Sequence, residues 1–172
     1  MLKNNFFGAL ALCAVFGFVF SCTPQQSELT VDNLKQEAQV VGKVTYDSGY
    51  LWEGGMIVSY SNWLPASDVE VIARIPYSNI GGSSAKGDYT VTTKTDANGK
   101  YSIKIPVGAT GVNVSLSALP FYKDKHVLNG EGKDATVSGA LYNNSTNPGV
   151  YVQSGEIKTA NITVTSNAVF GD

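Results

Sequence analysis

The sequence predicts an all-β chain, an antiparallel β-sandwich of about seven strands. Three observations carry that expectation. The composition is rich in strand and turn formers, with 18 Gly, 9 Tyr and 7 Phe in 172 residues; β-branched and aromatic residues suit a pleated, half-buried surface and glycine supplies turns. From Val40 onward apolar residues recur at every second position, which is the strand period. No long apolar stripe at helical spacing interrupts them. Hydrophobic residues make up 43%, enough for a packed core. Formal net charge is −2 with no block of like charge, so nothing attracts a polyanion and no nucleic-acid partner is expected.

The elements follow in order. Residues 1–21 read as a cleaved leader: Lys3 supplies a positive start and Phe6 to Phe20 is apolar and uncharged. That run falls short of the ~20 residues a spanning helix needs. It ends in Val19-Phe20-Ser21-Cys22, which resembles the lipobox of bacterial lipoproteins: an aliphatic residue, a variable one, a small one, then cysteine. The resemblance implies that the Cys22 thiol carries diacylglycerol and becomes the mature N-terminus, with the acyl chains as membrane anchor. The other cysteine, Cys13, lies inside the leader. No thiol then remains for a disulfide, a zinc-thiolate site or a cysteine nucleophile. Residues 22–38 are polar and read as a tether, with helix-cap signals around Thr30–Glu37. Residues 39–172 are expected to form one domain.

Its strands are expected over VVGKVTY (Val40, Val44 and Tyr46 on one face), SDVEVIARIPY (Val69, Val71, Ala73, Ile75), GDYTVTTKT (Tyr89, Val91, Thr93) and GKYSIKIPV (Tyr101, Ile103, Ile105, Val107). GVNVSLSAL follows with Val112, Val114, Leu116 and Ala118, and GEIKTANITVT ends with Ile162 and Val164. DATVSGALY offers two inward sets, Val137 with Leu141, or Thr136 with Ala140 and Tyr142. One-sided alternation implies antiparallel sheets, and two of them packed together form a sandwich.

VVGKVTY, PASDVEVIA and TTKTDANGKYSIKIPVG together resemble the carboxypeptidase regulatory-like domain, a prealbumin-like (transthyretin-like, Ig-like) β-sandwich. The resemblance covers roughly residues 40–108. It rests on Val40-x-Gly42-x-Val44, on Pro65-Ala66 before Val69 and Val71, and on Thr95-Asp96-Ala97-Asn98-Gly99-Lys100-Tyr101. Such motifs specify fold more than activity. The resemblance implies an accessory role in adhesion or glycan capture at a bacterial envelope. The chain departs from that family's pattern over Asp47–Leu64, an inserted aromatic loop holding Tyr50, Trp52, Tyr60 and Trp63, in which MIVSY offers an extra strand.

Asp96, Asn98 and Gly99 look at first like the start of a calcium loop. Counted from Asp96, however, position five is Lys100 and position twelve is Val107, where oxygen ligands are required. The cluster reads instead as a structural turn, a tight hairpin with an Asx bond and a left-handed glycine. No metal and no cofactor is expected. His126, the single histidine, sits in the polar run FYKDKHVLNG and reads as a surface-loop residue; no G-x-S-x-G elbow accompanies it, and no enzyme is expected. The N-x-[ST] matches at Asn113, Asn143, Asn144 and Asn161 read as chance in a chain rich in Asn and Thr.

The expected role is therefore a non-catalytic outer-membrane lipoprotein, facing either the cell surface or the periplasm, accessory to glycan capture or adhesion. Its candidate binding residues are Tyr50, Trp52, Tyr60 and Trp63, with Tyr77 and Tyr151 as possible additions. A glycan binder should expose an aromatic platform around Trp52 and Trp63. A structural or pilus-like assembly protein, whose partner is another envelope protein, should bury both and leave a sheet edge open.

Overall fold

The structure, a computed structural model, describes residue 34, residues 36–80 and residues 86–169. The leader, Cys22 and the tether up to residue 33 lie outside the described residues. In chain order the strands are β1 (Gln36–Asp47), β2 (Leu51–Glu53), β3 (Met56–Ser59), β4 (Trp63–Pro65), β5 (Glu70–Pro76), β6 (Asp88–Lys94) and β7 (Lys100–Val107). They continue with β8 (Val112–Ala118), β9 (Phe121–Leu128), β10 (Asp134–Tyr142), β11 (Asn144–Ser145), β12 (Gly149–Val152), β13 (Ile157–Thr159) and β14 (Ile162–Thr165). A 3-10 turn covers Tyr77–Asn79.

Two sheets face each other. The second has the order β12-β8-β5-β6 and is antiparallel throughout. The first is built around β1. Along one side β1 pairs antiparallel with β7, from Gln36↔Val107 to Lys43↔Lys100, and then with β4 at Thr45–Asp47. Along the other side it pairs parallel with β13 and then β14, and β11 extends that flank. The first sheet is thus mixed rather than purely antiparallel, because the chain crosses back from β12 in the opposite sheet before it reaches β13.

The period-two reading fits the burial. In β5 and β7 every second residue is buried, and Val40, Val44, Val71, Ile75, Ile105, Leu116 and Ile162 are fully enclosed. Each such side chain stabilises the fold by about 1.5–3 kcal/mol. The ion pairs Lys94–Asp68 and Lys104–Glu37 lie on exposed surface, where a pair contributes about 0–1 kcal/mol. The core therefore dominates.

The motif residues converge on one junction. Gly42 faces Tyr101 across the β1–β7 ladder. A Cβ on Gly42 would lie 1.8 Å from the Ala160 carbonyl oxygen, so only glycine admits the β13–β14 link there. The Tyr101 hydroxyl donates to that same oxygen at 2.6 Å, and burial pushes its pKa up to about 12, so it stays a neutral donor. Buried Thr95 donates from its hydroxyl to the Ala66 carbonyl (2.6 Å) and accepts from the Val69 amide (2.9 Å). Gly99, at φ 71°, brings its own carbonyl to the Val44 amide.

Four expectations need correction. The Asp96–Gly99 turn is not a hairpin: β6 pairs with β5 and β7 pairs with β1, so the turn carries the chain from one sheet to the other. Its Asx geometry is nonetheless present, with Asp96 Oδ1 accepting from the Asn98 and Lys100 amides at 2.8 Å each. β1 begins at Gln36, ahead of the expected boundary at 39, so Gln36 and Glu37 are strand where helix-cap signals stood. In β10 neither expected inward set survives whole. The register shifts between Val137 and Ala140, so Val137 packs against the core before the bulge and Ala140 and Tyr142 after it. Finally, FYKDKHVL is strand β9, paired with β10, and His126 lies on a strand rather than in a loop.

Candidate functional site

Two ribbons extend from one end of the sandwich, β2–β3 and β9–β10, and each is its own two-stranded sheet. Their junction is built from the residues that follow β1. Asp47 Oδ1 accepts from the Gly49 amide (3.0 Å) and the Asn62 amide (3.3 Å), closing the base of the inserted loop. Buried Ser48 donates from both its amide and its hydroxyl to the Asn62 carbonyl, each at 2.9 Å. Gly49 then meets His126 in a parallel bridge. Its φ is 89° and a Cβ would sit 1.8 Å from the His126 carbonyl oxygen, so glycine is required twice over. The Tyr50 amide donates to that oxygen at 3.1 Å, and the His126 amide donates to the Ser48 carbonyl at 2.8 Å.

This stitching opens a cleft of about 310 Å³, at the lower end of the ~300–1,000 Å³ typical of ligand pockets. Tyr50 and Tyr60 form one wall, their rings edge to face with centroids 5.9 Å apart. His126 and Val127 line a second wall, and Ala168 and Val169 a third. Lys125 holds the third wall in place: its Nζ donates to the Ser166 carbonyl (2.5 Å) and the Ala168 carbonyl (3.2 Å). His126 Nδ1 lies 3.2 Å from Asp134 Oδ1, both side chains being about half exposed. The polar side chains of Asp47, Lys125 and His126 therefore each have a partner within the protein, and the aromatic faces are the open chemistry.

Beneath the cleft is an aromatic floor. The Tyr142 hydroxyl donates to the Asp47 carbonyl at 2.9 Å. Its ring stacks on Phe121 (5.4 Å, 6°) and meets Tyr46 edge-on (5.1 Å, 79°). Burial first, then the electrostatic influence of neighbouring Tyr46, Asp47 and Asp124, pushes the Tyr142 pKa well above the usual tyrosine range. Burial and then Asp124 raise Tyr46 as well. Both hydroxyls stay neutral, which suits a fixed floor better than proton transfer.

The four aromatics expected as one platform are separated. Tyr50 and Tyr60 line the cleft. Trp52 is half-buried in β2, and its Nε1 has neither solvent contact nor an acceptor. Trp63, 47% exposed, sits on β4, paired with Asp47. The platform around Trp52 and Trp63 is thus replaced by one around Tyr50 and Tyr60: a register shift between Leu51 and Trp52 breaks the alternation that would set Tyr50 and Trp52 on one face, and Trp63 lies on β4, outside the hairpin. Tyr77 and Tyr151 lie near Gly87 and Thr110, at the other end of the sandwich, and do not join it. Sequence reading missed Asp47, Lys125, His126 and the Ala168–Val169 wall. The Ser-Gly pair before Tyr50 is the only local sign of a close backbone approach. Among the described residues no group of three or more His, Cys, Asp or Glu is gathered as a metal site would require.

No protein-family model and no curated protein matches the sequence. Among solved structures the chain is similar to a double mutant of the shaft pilin SpaA from Lactobacillus rhamnosus GG, at 10% identity and a TM-score of 0.38 over 77% of this chain and 52% of the pilin. The chain thus spans about half the length of that pilin. It is also similar to the major plantain pollen allergen Pla l 1, at 12% identity and a TM-score of 0.38 over 77% of this chain and 96% of the allergen.

Proposed function

We propose that this is a non-catalytic envelope lipoprotein, anchored through Cys22, whose carboxypeptidase regulatory-like sandwich presents the Tyr50–Tyr60 cleft to a saccharide. The observation that carries the reading is the edge-to-face tyrosine pair on the wall of a 310 Å³ cleft. Apolar C–H faces of a sugar ring stack on such rings, while the phenol hydroxyls bond its hydroxyls. The small volume suits one or two rings, not a long polymer segment. The family resemblance is supported by the shared junction of Gly42, Thr95, Gly99 and Tyr101, each doing backbone work that its motif position demands.

The test is a glycan array probed with the Cys22→Ala protein lacking residues 1–21 and its Tyr60→Ala variant. The reading expects a saccharide signal that the variant loses. An array silent for both proteins, or a signal indifferent to Tyr60, would overturn it.

A second reading has its own observation. Met56 and Val58 are 69% and 52% exposed on β3, which among the described residues pairs with β2 alone. An open edge with apolar side chains suits an envelope-protein partner that adds a strand. Array silence combined with a partner lost on Val58→Lys substitution would favour it.

A further inference from the structure

We infer that the cleft faces away from the membrane that anchors the protein, so that its saccharide is met on the solution side and the exposed apolar tip does not dip into that membrane. The inference rests on the Cys22 anchor of the proposed function and adds an orientation to it. β1 is the ruler. Its first residue, Gln36, lies beside Val107, and Leu34 packs near Gly108, so the chain arrives from the tether at that end. Its last residue, Asp47, supports the cleft. Twelve residues of strand separate the two ends by roughly 36 Å at ~3.3 Å per residue. Pairing on both flanks, with β7 and β4 on one side and β13 and β14 on the other, holds that distance fixed.

Exposed apolar side chains are segregated along this axis. Met56, Val58, Tyr60, Trp63, Leu64, Tyr122, Leu141 and Val169 lie toward the Asp47 end, whereas only Tyr151 and Ile157 lie toward the Gln36 end among the described large hydrophobics with high exposure. Such a tip suits a ligand or a bilayer, and charge decides between them. From Tyr50 to Ala66 the one charged residue is Glu53, and on the β9–β10 ribbon Lys123, Lys125 and Lys133 are matched in number by Asp124, Glu131 and Asp134, so the tip carries no cationic excess. Interfacial membrane binders carry an excess of Lys and Arg for anionic headgroups, and a tip without that excess lacks the attraction. The thirteen residues between Cys22 and Gln36 could reach at most ~45 Å when extended. That is enough to raise the domain and also enough to let it lie down, so orientation is a measurable question.

The mature lipoprotein is reconstituted into vesicles of phosphatidylcholine and phosphatidylglycerol containing rhodamine-labelled lipid. Fluorescein is placed at Met56→Cys (tip) or Ala109→Cys (tether end). Both positions are exposed, and the mature chain has no thiol besides the acylated Cys22, so labelling is specific and leaves the core intact. Energy transfer to the lipid should be several-fold stronger from position 109 than from position 56. Equal or stronger transfer from position 56 would overturn the orientation while leaving the anchor standing. Flotation reports the anchor separately: the mature wild type should float with the vesicles and a Cys22→Ala chain lacking residues 1–21 should not. If neither floats, the anchor reading itself falls and the orientation falls with it.

Discussion

Replacing Gly42 by alanine tests the junction at the centre of the fold. The added Cβ would stand 1.8 Å from the Ala160 oxygen and 2.8 Å from Tyr101 Cε1. Ordinary contact begins near 3.4 Å, so the carbonyl must retreat by about 1.6 Å or the Tyr101 ring must move. Either response strains or breaks the 2.6 Å bond from the Tyr101 hydroxyl and threatens the 2.9 Å bond from the Ala160 amide to the Val41 carbonyl. Crowding a packed site costs about 1–3 kcal/mol. Leaving a buried hydroxyl without a partner costs a further ~1–3 kcal/mol. The expected loss is about 2–6 kcal/mol, a large share of the ~5–15 kcal/mol that holds a domain folded. Urea unfolding of the Cys22→Ala protein, followed by far-ultraviolet circular dichroism, reads the loss directly. Gly130→Ala is the control, since nothing lies within 4 Å of its Cβ position, and a change within about 0.5 kcal/mol is expected there. Tyr101→Phe should be costly in the wild-type background and much less so beside Gly42→Ala, because the bond is then already broken. A Gly42→Ala protein within 0.5 kcal/mol of wild type, or strict additivity with Tyr101→Phe, would refute the reasoning.

Thr95→Val keeps the shape but removes a hydroxyl that serves Ala66 and Val69; two orphaned backbone groups should cost about 2–4 kcal/mol in the same unfolding assay. Gly49→Ala should part the ribbons, because its Cβ would strike the His126 carbonyl. Hydrogen exchange should then accelerate at the Tyr50 and His126 amides while Val40 and Ile103 stay protected, and unchanged protection at the two ribbon amides would count against the stitching. Stability should also fall at high pH. Burial pushes the Tyr101 pKa up to about 12 in the folded state, against about 10 in the unfolded chain. Below pH 10 both states keep the proton and the folded state keeps its full stability. Between pH 10 and about 12 only the unfolded state ionises, which removes on the order of 2–3 kcal/mol. Unfolding midpoints that stay flat across that window would contradict the buried, bonded hydroxyl.

Much of the sandwich was legible because its strands obey one rule. Ile103 and Ile105, or Val114 and Leu116, sit two apart with polar residues between, and burial follows the pattern. The strand β9 escaped because Lys123, Asp124 and Lys125 place charge on both faces, and long lysine stems cover apolar surface while looking polar in sequence. The bulge in β10 escaped because Gly139 reads as an ordinary turn former until its partner strand is known. At the site, Tyr50 and Tyr60 were legible as part of an unusual aromatic insertion. Their separation from Trp52 and Trp63 was not, since a register shift between Leu51 and Trp52 decides which face each ring takes. Nor was the opposite wall, because His126 and Val169 reach the cleft only through long-range pairing and the Lys125 clamp.

The most direct measurement of the central claim is calorimetric titration of an array-positive saccharide into the Cys22→Ala protein, compared with Tyr50→Ala, Tyr60→Ala and Trp63→Ala. Each tyrosine change should weaken binding by about tenfold or more, equal to ~1.4 kcal/mol or more, and Trp63→Ala should leave it unchanged. Binding that survives both tyrosine changes, or that fails only with Trp63→Ala, would contradict the assignment of the cleft.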